Sequence, residues 1–232
     1  MIPIRDDQPT FSTPYVNYFL IVLNFIVYLW ERTQSPRALN AFVREFGVVP
    51  AHTVAVLSGH SHDALAAGIV PLFTSLFLHG SLLHVAGNML FLWIFGDNVE
   101  DYLGHFRYLV FYLASGVAAG ATHILLNQGS RVPSVGASGA IAGVMGAYFI
   151  LYPRARVLVW FPPIFFFHVP AWLMLGYWFV INFLSGTATA VAETSQSSGG
   201  VAFWAHVGGF VAGVVMINLF RERPQRYRYG TW

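Results

Sequence analysis

Apolar runs alternate with short polar breaks along this chain, and six of the runs approach the roughly 20 residues that a bilayer-spanning helix needs. The first predicted helix covers about Tyr15 to Trp30. A long loop follows, from about Glu31 to Pro71, with an amphipathic middle expected to lie in the membrane interface. The second helix is predicted over Ser81 to Val99, the third over Tyr108 to Leu126, and the fourth, rich in Gly and Ala, over Val135 to Leu151. The fifth is predicted over Ile164 to Leu184, after Pro162-Pro163, and the sixth over Val201 to Phe220. Gln128 to Pro133 and Pro153 to Arg156 read as turns, and Thr194 to Gly200 as a Ser/Gly-rich flexible loop. The pattern predicts an all-α, polytopic membrane protein: a six-helix transmembrane bundle with a long first loop. No repeat or extra soluble unit is visible, so residues 1–232 read as a single transmembrane domain with a polar N-terminal and a basic C-terminal tail.

Composition sharpens this picture. Of 232 residues, 56% are hydrophobic, 17% aromatic and 9% charged. A soluble domain carries about 25% charged residues, so this chain could not solvate its apolar surface in water. The twelve basic residues are all arginines, and they are scattered rather than striped along one helix, which excludes nucleic acid as a partner. Zero cysteines excludes disulfides, iron–sulfur ligation, thiolate zinc sites and a cysteine nucleophile. Met1 to Pro14 is polar and contains Arg5, Asp6 and Asp7, so no cleavable signal peptide is expected and the first apolar run is read as a retained helix. With the N-terminus inside, eight arginines (5, 107, 154, 156, 221, 223, 226 and 228) fall on the inner side and four (32, 37, 44 and 131) on the outer. That asymmetry predicts both termini in the cytoplasm.

This topology gathers chemistry at one depth. Helices two, four and six all start at the outer face. His79, His84 and Asn88 sit at the start of the second, Ser138 at the start of the fourth, and His206 about six residues into the sixth, roughly 9 Å deep at 1.5 Å per residue. Each residue alone has a bland reading: a serine in a Gly/Ala-rich helix bonds its own backbone, and a membrane histidine or asparagine joins helices. Together they suggest hydrolysis. Serine needs a base to take its proton, and histidine is the usual base. No Asp or Glu lies between Asp101 and Glu193 to orient that histidine, so the expectation is a Ser–His dyad. His84 and Asn88, at i and i+4, share a helix face and can both donate to a developing oxyanion, with the Ser138 amide as a third donor. Gly116/Gly120, Gly139/Gly143 and Gly209/Gly213 are small-xxx-small pairs; Gly209 and Gly213 lie on the face of His206 and would let it approach the fourth helix.

These residues, in this order, resemble the rhomboid family of intramembrane serine proteases. Gly136-Ala137-Ser138-Gly139 looks like the family's nucleophile motif, His206 with Gly209 and Gly213 like its catalytic-histidine helix, and His84-x-x-x-Asn88 like its oxyanion motif. Gly96-Asp97-Asn98-Val99-Glu100-Asp101 with Leu103-Gly104 resembles the signature closing the second helix, and Ile2-Pro3-Ile4-Arg5-Asp6 and the Pro-rich entry to the fifth helix resemble bacterial members. The resemblance implies Ser138 as nucleophile, His206 as base, and His84, Asn88 and the Ser138 amide as oxyanion hole. It implies single-span or polytopic membrane-protein substrates in the lipid bilayer, cut near the outer ends of their helices, with no metal or other cofactor. It also implies the fifth helix as gate and Thr194–Gly200 as lid. A minimal chain without a transit-peptide pattern leads to the expectation of a bacterial cytoplasmic membrane. Two features depart from the pattern: the position four after the nucleophile is Ala142 instead of an aromatic, and no Trp-Arg pair occurs between Glu31 and Pro71.

The remaining polar residues take structural readings. His79 is expected to stabilise the first loop, His123 and Asn127 to be structural or water-facing, and His60, Ser61, His62 and Asp63 to form a solvated loop in preference to a metal site. Glu100 and Asp101 are expected to brace the inner end of the second helix. The C-terminal arginines are expected to meet anionic headgroups. His52, His105 and His168 receive no role. The rivals are a non-catalytic rhomboid-like adaptor or chaperone, against which the intact Ser138, His206 and Asn88 argue, and a small transporter, against which the lack of repeats and of a mid-membrane carboxylate argues. A zinc protease would need H-E-x-x-H, which is absent, and an aspartyl protease two buried carboxylates.

Overall fold

The computed structural model describes residues 1–191 and 202–220. The expected lid, Thr194–Gly200, and the arginine-rich tail lie outside the described residues. In chain order the elements are β1 (Ile2–Asp6), α1 (Tyr15–Thr33), α2 (Pro36–Phe46), α3 (Pro50–Leu57), α4 (Ala66–Ile69), α5 (Pro71–Thr74), a 3-10 turn (Ser75–Phe77), α6 (Leu82–Leu103), α7 (His105–Leu126), α8 (Ser138–Leu151), β2 (Arg156–Phe161), β3 (Phe165–Pro170), α9 (Ala171–Val191) and α10 (Phe203–Leu219). The fold is that of an all-α polytopic membrane protein, with a helix in each of the six apolar segments. Residues Leu82–Leu103, His105–Leu126 and Ala171–Ala190 are long and apolar enough to cross a bilayer by length and composition.

α8 is the axis of the bundle. Every residue from Gly139 to Tyr148 is buried, because α6, α7 and α10 surround it. Its 14 residues measure about 21 Å, against roughly 30 Å of hydrocarbon. A helix enclosed by protein need not span the lipid. Arg154 and Arg156 are exposed just beyond its far end.

Small residues make this enclosure possible. A Cβ on Gly213 would lie 2.0 Å from the carbonyl oxygen of Gly143, and one on Gly209 would lie 2.1 Å from that of Gly139. One on Gly146 would lie 2.2 Å from the carbonyl oxygen of Phe210. α8 and α10 therefore meet backbone to backbone, the close approach that small-xxx-small faces allow. On α7, Ser115, Ala119 and Thr122 crowd Gly143, Gly139 and Gly208 in the same way. Gly116 and Gly120 serve a different neighbour from the helix expected: they accommodate the side chains of Leu76 and Leu72 from the first loop.

Polar anchors hold the opposite end. Glu100 is fully buried and accepts the amides of Val16 (3.0 Å) and Asn17 (2.7 Å), the exposed donors at the start of α1. Asp101 accepts the amides of Phe11 and Ser12, and Asp97 the hydroxyl of Thr10. Asn17 in turn accepts from the Tyr108 hydroxyl at 2.8 Å and donates to the Leu92 carbonyl at 3.1 Å, tying α1 to α6 and α7. A side chain at Gly96 would occupy the place of the Asn17 amide. The bracing expected of Glu100 and Asp101 thus acts on α1 and the segment before it. Gly104, at φ +76°, turns the chain directly from α6 into α7.

Two segments differ from expectation. The N-terminal tail is a strand: β1 pairs antiparallel with β2, and β2 with β3, in the order β1-β2-β3. The predicted fifth helix begins seven residues late, at Ala171. Residues 164–170 hold five aromatic or β-branched residues, Ile164 to Phe167 in a row and Val169 after His168, and end in Pro170, a composition that favours a pleated strand. Val157 and Val159 of β2 are buried while Arg156 and Phe161 are exposed, the period-two pattern that the surrounding apolar run hid. The outer surface of the bundle is apolar: Phe19, Ile26 and Leu29 on α1 and Trp172, Tyr177 and Leu184 on α9 are exposed, as a lipid-facing wall requires.

The α8–α10 contact sets the first prediction. Gly213→Leu should abolish folding or lower the melting temperature steeply in detergent, because overpacking against fixed backbone costs upward of about 1–3 kcal/mol. Gly87→Ala, where an added Cβ meets nothing within 4 Å, should leave melting unchanged or raised. Equal melting of Gly213→Leu and the parent would refute the backbone contact.

Candidate active site

The loop before Ser138 is held from the far side of the sequence. Val48 and Ser134 exchange backbone hydrogen bonds of 3.0 and 2.8 Å, Ala51 donates to the Ser130 carbonyl at 2.9 Å, and Gly136 donates to the Ser75 carbonyl at 2.9 Å. The first loop, with α2 capped by Ser35 and Thr74 donating to the Phe46 carbonyl, is thereby a brace for the segment that delivers Ser138. Gly136 has φ +130°, and a Cβ there would lie 2.8 Å from the His84 imidazole. Both the backbone angle and the space restrict this position to glycine. Ser138 then opens α8, so its amide belongs to the first turn, whose N–H groups have no partner within the helix.

Across the small-residue seam, His206 Nε2 lies 2.8 Å from Ser138 Oγ. The imidazole is buried. Its Nδ1 lies 2.7 Å from Oδ1 of Asn182 on α9, and the Trp178 ring sits against it with centroids 5.5 Å apart and planes tilted by 35°. Asn182 was not singled out from the sequence. The only signal for it is a lone amide in an apolar helix, a polar group that membrane burial makes a suspect. The aromatic neighbour that Ala142 cannot supply is Trp178, from a different helix.

His84 and Asn88 project from the first two turns of α6 toward the same place. They line one cleft of about 240 Å³ with Ser138 and His206, closed by Leu83, Gly87, Phe91, Ile141, Met145 and Trp178. That volume would hold several waters, each about 30 Å³ in the liquid, or a small side chain. The structure therefore brings together all four residues singled out for chemistry. Asn88 Nδ2 donates to His79 Nε2 at 2.9 Å, and the His79 amide donates to the buried Glu31 carboxylate at 3.2 Å. Glu31 belongs to α1, which runs to Thr33 and past the start expected for the loop. His79 thus acts on Asn88 as well as on the loop.

The other histidines lie apart from the cleft. His123 and Asn127 bond one another locally, His52 pairs with Asp63 at 2.9 Å, His60 bonds Ser58, and His105 bonds Glu100. Among the described residues no three of His, Cys, Asp or Glu gather as a metal site would require.

Comparison with known proteins gives a consistent result. The Rhomboid domain family matches residues 66–223. The chain is 32% identical over 150 residues to "Rhomboid protein 1, mitochondrial" of Saccharomyces cerevisiae, covering 63% of this chain and 40% of that protein. It is 29% identical over 194 residues to "Presenilin-associated rhomboid-like protein, mitochondrial" of Rattus norvegicus, covering 80% and 47%. It is 32% identical over 166 residues to "RHOMBOID-like protein 1" of Arabidopsis thaliana, covering 72% and 37%. The chain spans less than half the length of these relatives. The mitochondrial names of the Saccharomyces cerevisiae and Rattus norvegicus relatives overturn the expectation of a bacterial cytoplasmic membrane. The cytoplasmic placement of both termini falls with it, because arginine asymmetry orders the two sides of a bilayer and carries no mark of which bilayer it is. Membrane association stands.

Burial, and next the neighbouring His84, pushes His79 down from 6.5 to about 4. The folded chain therefore holds it neutral, able to accept from Asn88, while the unfolded chain protonates it near 6.5. A depressed histidine binds fewer protons folded than unfolded, so its contribution to stability is lost as pH falls from about 6.5 toward 4. Asp6, which burial raises to about 6, acts in the opposite sense, losing its contribution as pH rises from 3.8 through 6. Melting curves from pH 7.5 to 4 should therefore show a smaller acid loss in His79→Gln than in the parent. Parallel curves would remove His79 as the acid-sensitive group.

Proposed function

Because this chain belongs to the rhomboid family, we propose that it is an intramembrane serine endopeptidase, cutting peptide bonds in or near the transmembrane helices of membrane-protein substrates with a Ser138–His206 dyad at its centre. The observation that carries this reading is the 2.8 Å approach of His206 Nε2 to Ser138 Oγ inside a cleft that His84 and Asn88 also line. Residues 1–232 would act as one unit, because β1 and α1 are tied into the matched region through β2 and Glu100.

In this mechanism Ser138 Oγ attacks the substrate carbonyl carbon while His206 Nε2 takes the hydroxyl proton. The carbonyl oxygen gains charge as the tetrahedral centre forms. Asn88 Nδ2, His84 and the Ser138 amide are its donors, fixed in advance along the cleft. His206 returns the proton to the leaving amine nitrogen, the C–N bond breaks, and an ester to Ser138 remains. Water, deprotonated by His206, then attacks the ester carbon, the bond to Ser138 Oγ breaks as His206 returns the proton to it, and the second product leaves as a carboxylic acid. The polar lining of the cleft gives the hydrolytic water a place beside the serine.

The test is cleavage of a tagged single-span substrate by purified chain in liposomes, with a metal chelator present. Parent protein should cut, while Ser138→Ala and His206→Ala should not. Asn88→Ala should fold and retain a rate about 100–1,000-fold lower, the loss typical of one oxyanion donor. Cleavage by Ser138→Ala would sink the mechanism. Folded parent protein that cuts none of several substrates would favour the non-catalytic adaptor instead.

A further inference from the structure

His206 is held at both ring nitrogens, and the second hold comes from α9, which carries neither member of the Ser138–His206 pair. Local geometry fixes which end of the Asn182 amide faces the ring. Asn182 Nδ2 donates to the Trp178 carbonyl, one turn earlier, at 2.8 Å. A carbonyl only accepts, so the amide nitrogen is the group turned toward it, and the amide oxygen is the group turned toward His206. That oxygen only accepts as well, so His206 Nδ1, 2.7 Å away, carries the ring hydrogen. A neutral imidazole has one N–H. With it on Nδ1, the Nε2 lone pair faces Ser138 Oγ and can receive its proton.

We propose that Asn182 is a positioning residue for the Ser138–His206 pair, holding the imidazole in the one tautomer that can act as base and remaining bonded to Nδ1–H when the ring takes up the serine proton. The proposal rests on the protease reading. It keeps the Ser138–His206 dyad as the chemical pair and adds an uncharged third residue that orients its base. Asn182 is 7% and His206 9% exposed. An ion at that depth would carry a large desolvation cost, whereas an amide with both ends hydrogen-bonded carries little. Trp178 and Asn182 are four residues apart, on one face of α9, so one helix face supplies both the hydrogen bond and the aromatic wall. That helix lies at the edge of the bundle, with Tyr177, Ile181 and Phe183 exposed. The orientation of the base therefore depends on how α9 is seated.

A magnitude follows from the chemistry. A partner that forces the wrong tautomer costs a serine protease about 10,000-fold in kcat. Removing the partner, which frees the ring to populate both tautomers, should cost less, about 10–100-fold. The experiment joins this rate to a direct reading of the ring. Full-length chain with 15N-labelled histidine, in detergent, is examined by NMR, and the His206 signals are assigned as those lost in His206→Ala. The same preparations are assayed on a single-span substrate. In the parent, the ring hydrogen should be on Nδ1. Asn182→Leu should lose that preference, with kcat down about 10–100-fold and KM within about twofold. Asn182→Asp, which burial favours as the neutral acid, with its O–H toward the Trp178 carbonyl and its C=O toward Nδ1, should keep the tautomer and most of kcat. A parent ring hydrogen on Nε2 would overturn the proposal, as would Asn182→Leu with unchanged tautomer and kcat. If the leucine variant does not fold, the parent signal and Asn182→Asp decide. A tautomer that follows Asn182 in a chain that cleaves nothing overturns the protease reading alone, since the ring is read without substrate.

Discussion

The contact between the backbones of α8 and α10 is the constraint on which the rest of the molecule depends. Gly139, Gly143 and Gly146 on one helix face Gly209, Phe210 and Gly213 on the other with no room for an added Cβ. In lipid, helices gain nothing from burying apolar surface against each other, since the tails are equally apolar; close van der Waals contact is the attraction that remains. That contact brings a residue at the first turn of α8 within hydrogen-bond reach of one on α10. Ser138 and His206 are 68 positions apart in sequence and 2.8 Å apart in space.

The second organising feature is polar and acts at the two ends of the bundle. At the far end, Glu100 and Asp101 accept the amides at and before the start of α1, and Asn17 joins α1 to α6 and α7. At the Ser138 end, the first loop bonds the segment before α8 through Val48, Ala51 and Ser75. Unpaired backbone groups are costly in a membrane, and both ends answer that cost by crossing between elements remote in sequence. The Glu31–His79–Asn88 chain extends the same logic into the cleft. A buried carboxylate accepts the His79 amide, and the neutral His79 ring then holds the Asn88 amide.

Much of this was legible in the sequence because it is periodic or local. Helical apolar runs showed the six segments, and spacings of three and four put Gly209 and Gly213 beneath His206 and placed His84 with Asn88. Where the sequence misled, the determining contact was long-range. β1 pairs with a strand more than 150 residues away, so nothing in Ile2–Asp6 by itself distinguishes a strand from a polar tail. The β2–β3 hairpin was hidden because aromatic and β-branched residues are as apolar as helix residues, and hydropathy alone does not separate them. Asn182 was missed because its partner lies 24 residues away on another helix, and the search for a third residue was confined to carboxylates. The membrane itself was misjudged, since neither chain length nor charge asymmetry identifies an organelle.

The central claim is that the α8–α10 seam makes Ser138 a nucleophile by placing it against His206. Its most direct test is covalent labelling with a fluorophosphonate in membranes, followed by mass-spectrometric mapping of the adduct. A serine without a nearby base does not react with such a reagent at neutral pH. The account predicts one adduct, on Ser138, lost in His206→Ala although that serine is still present. An adduct at another residue, or equal labelling of Ser138 with and without His206, would contradict it.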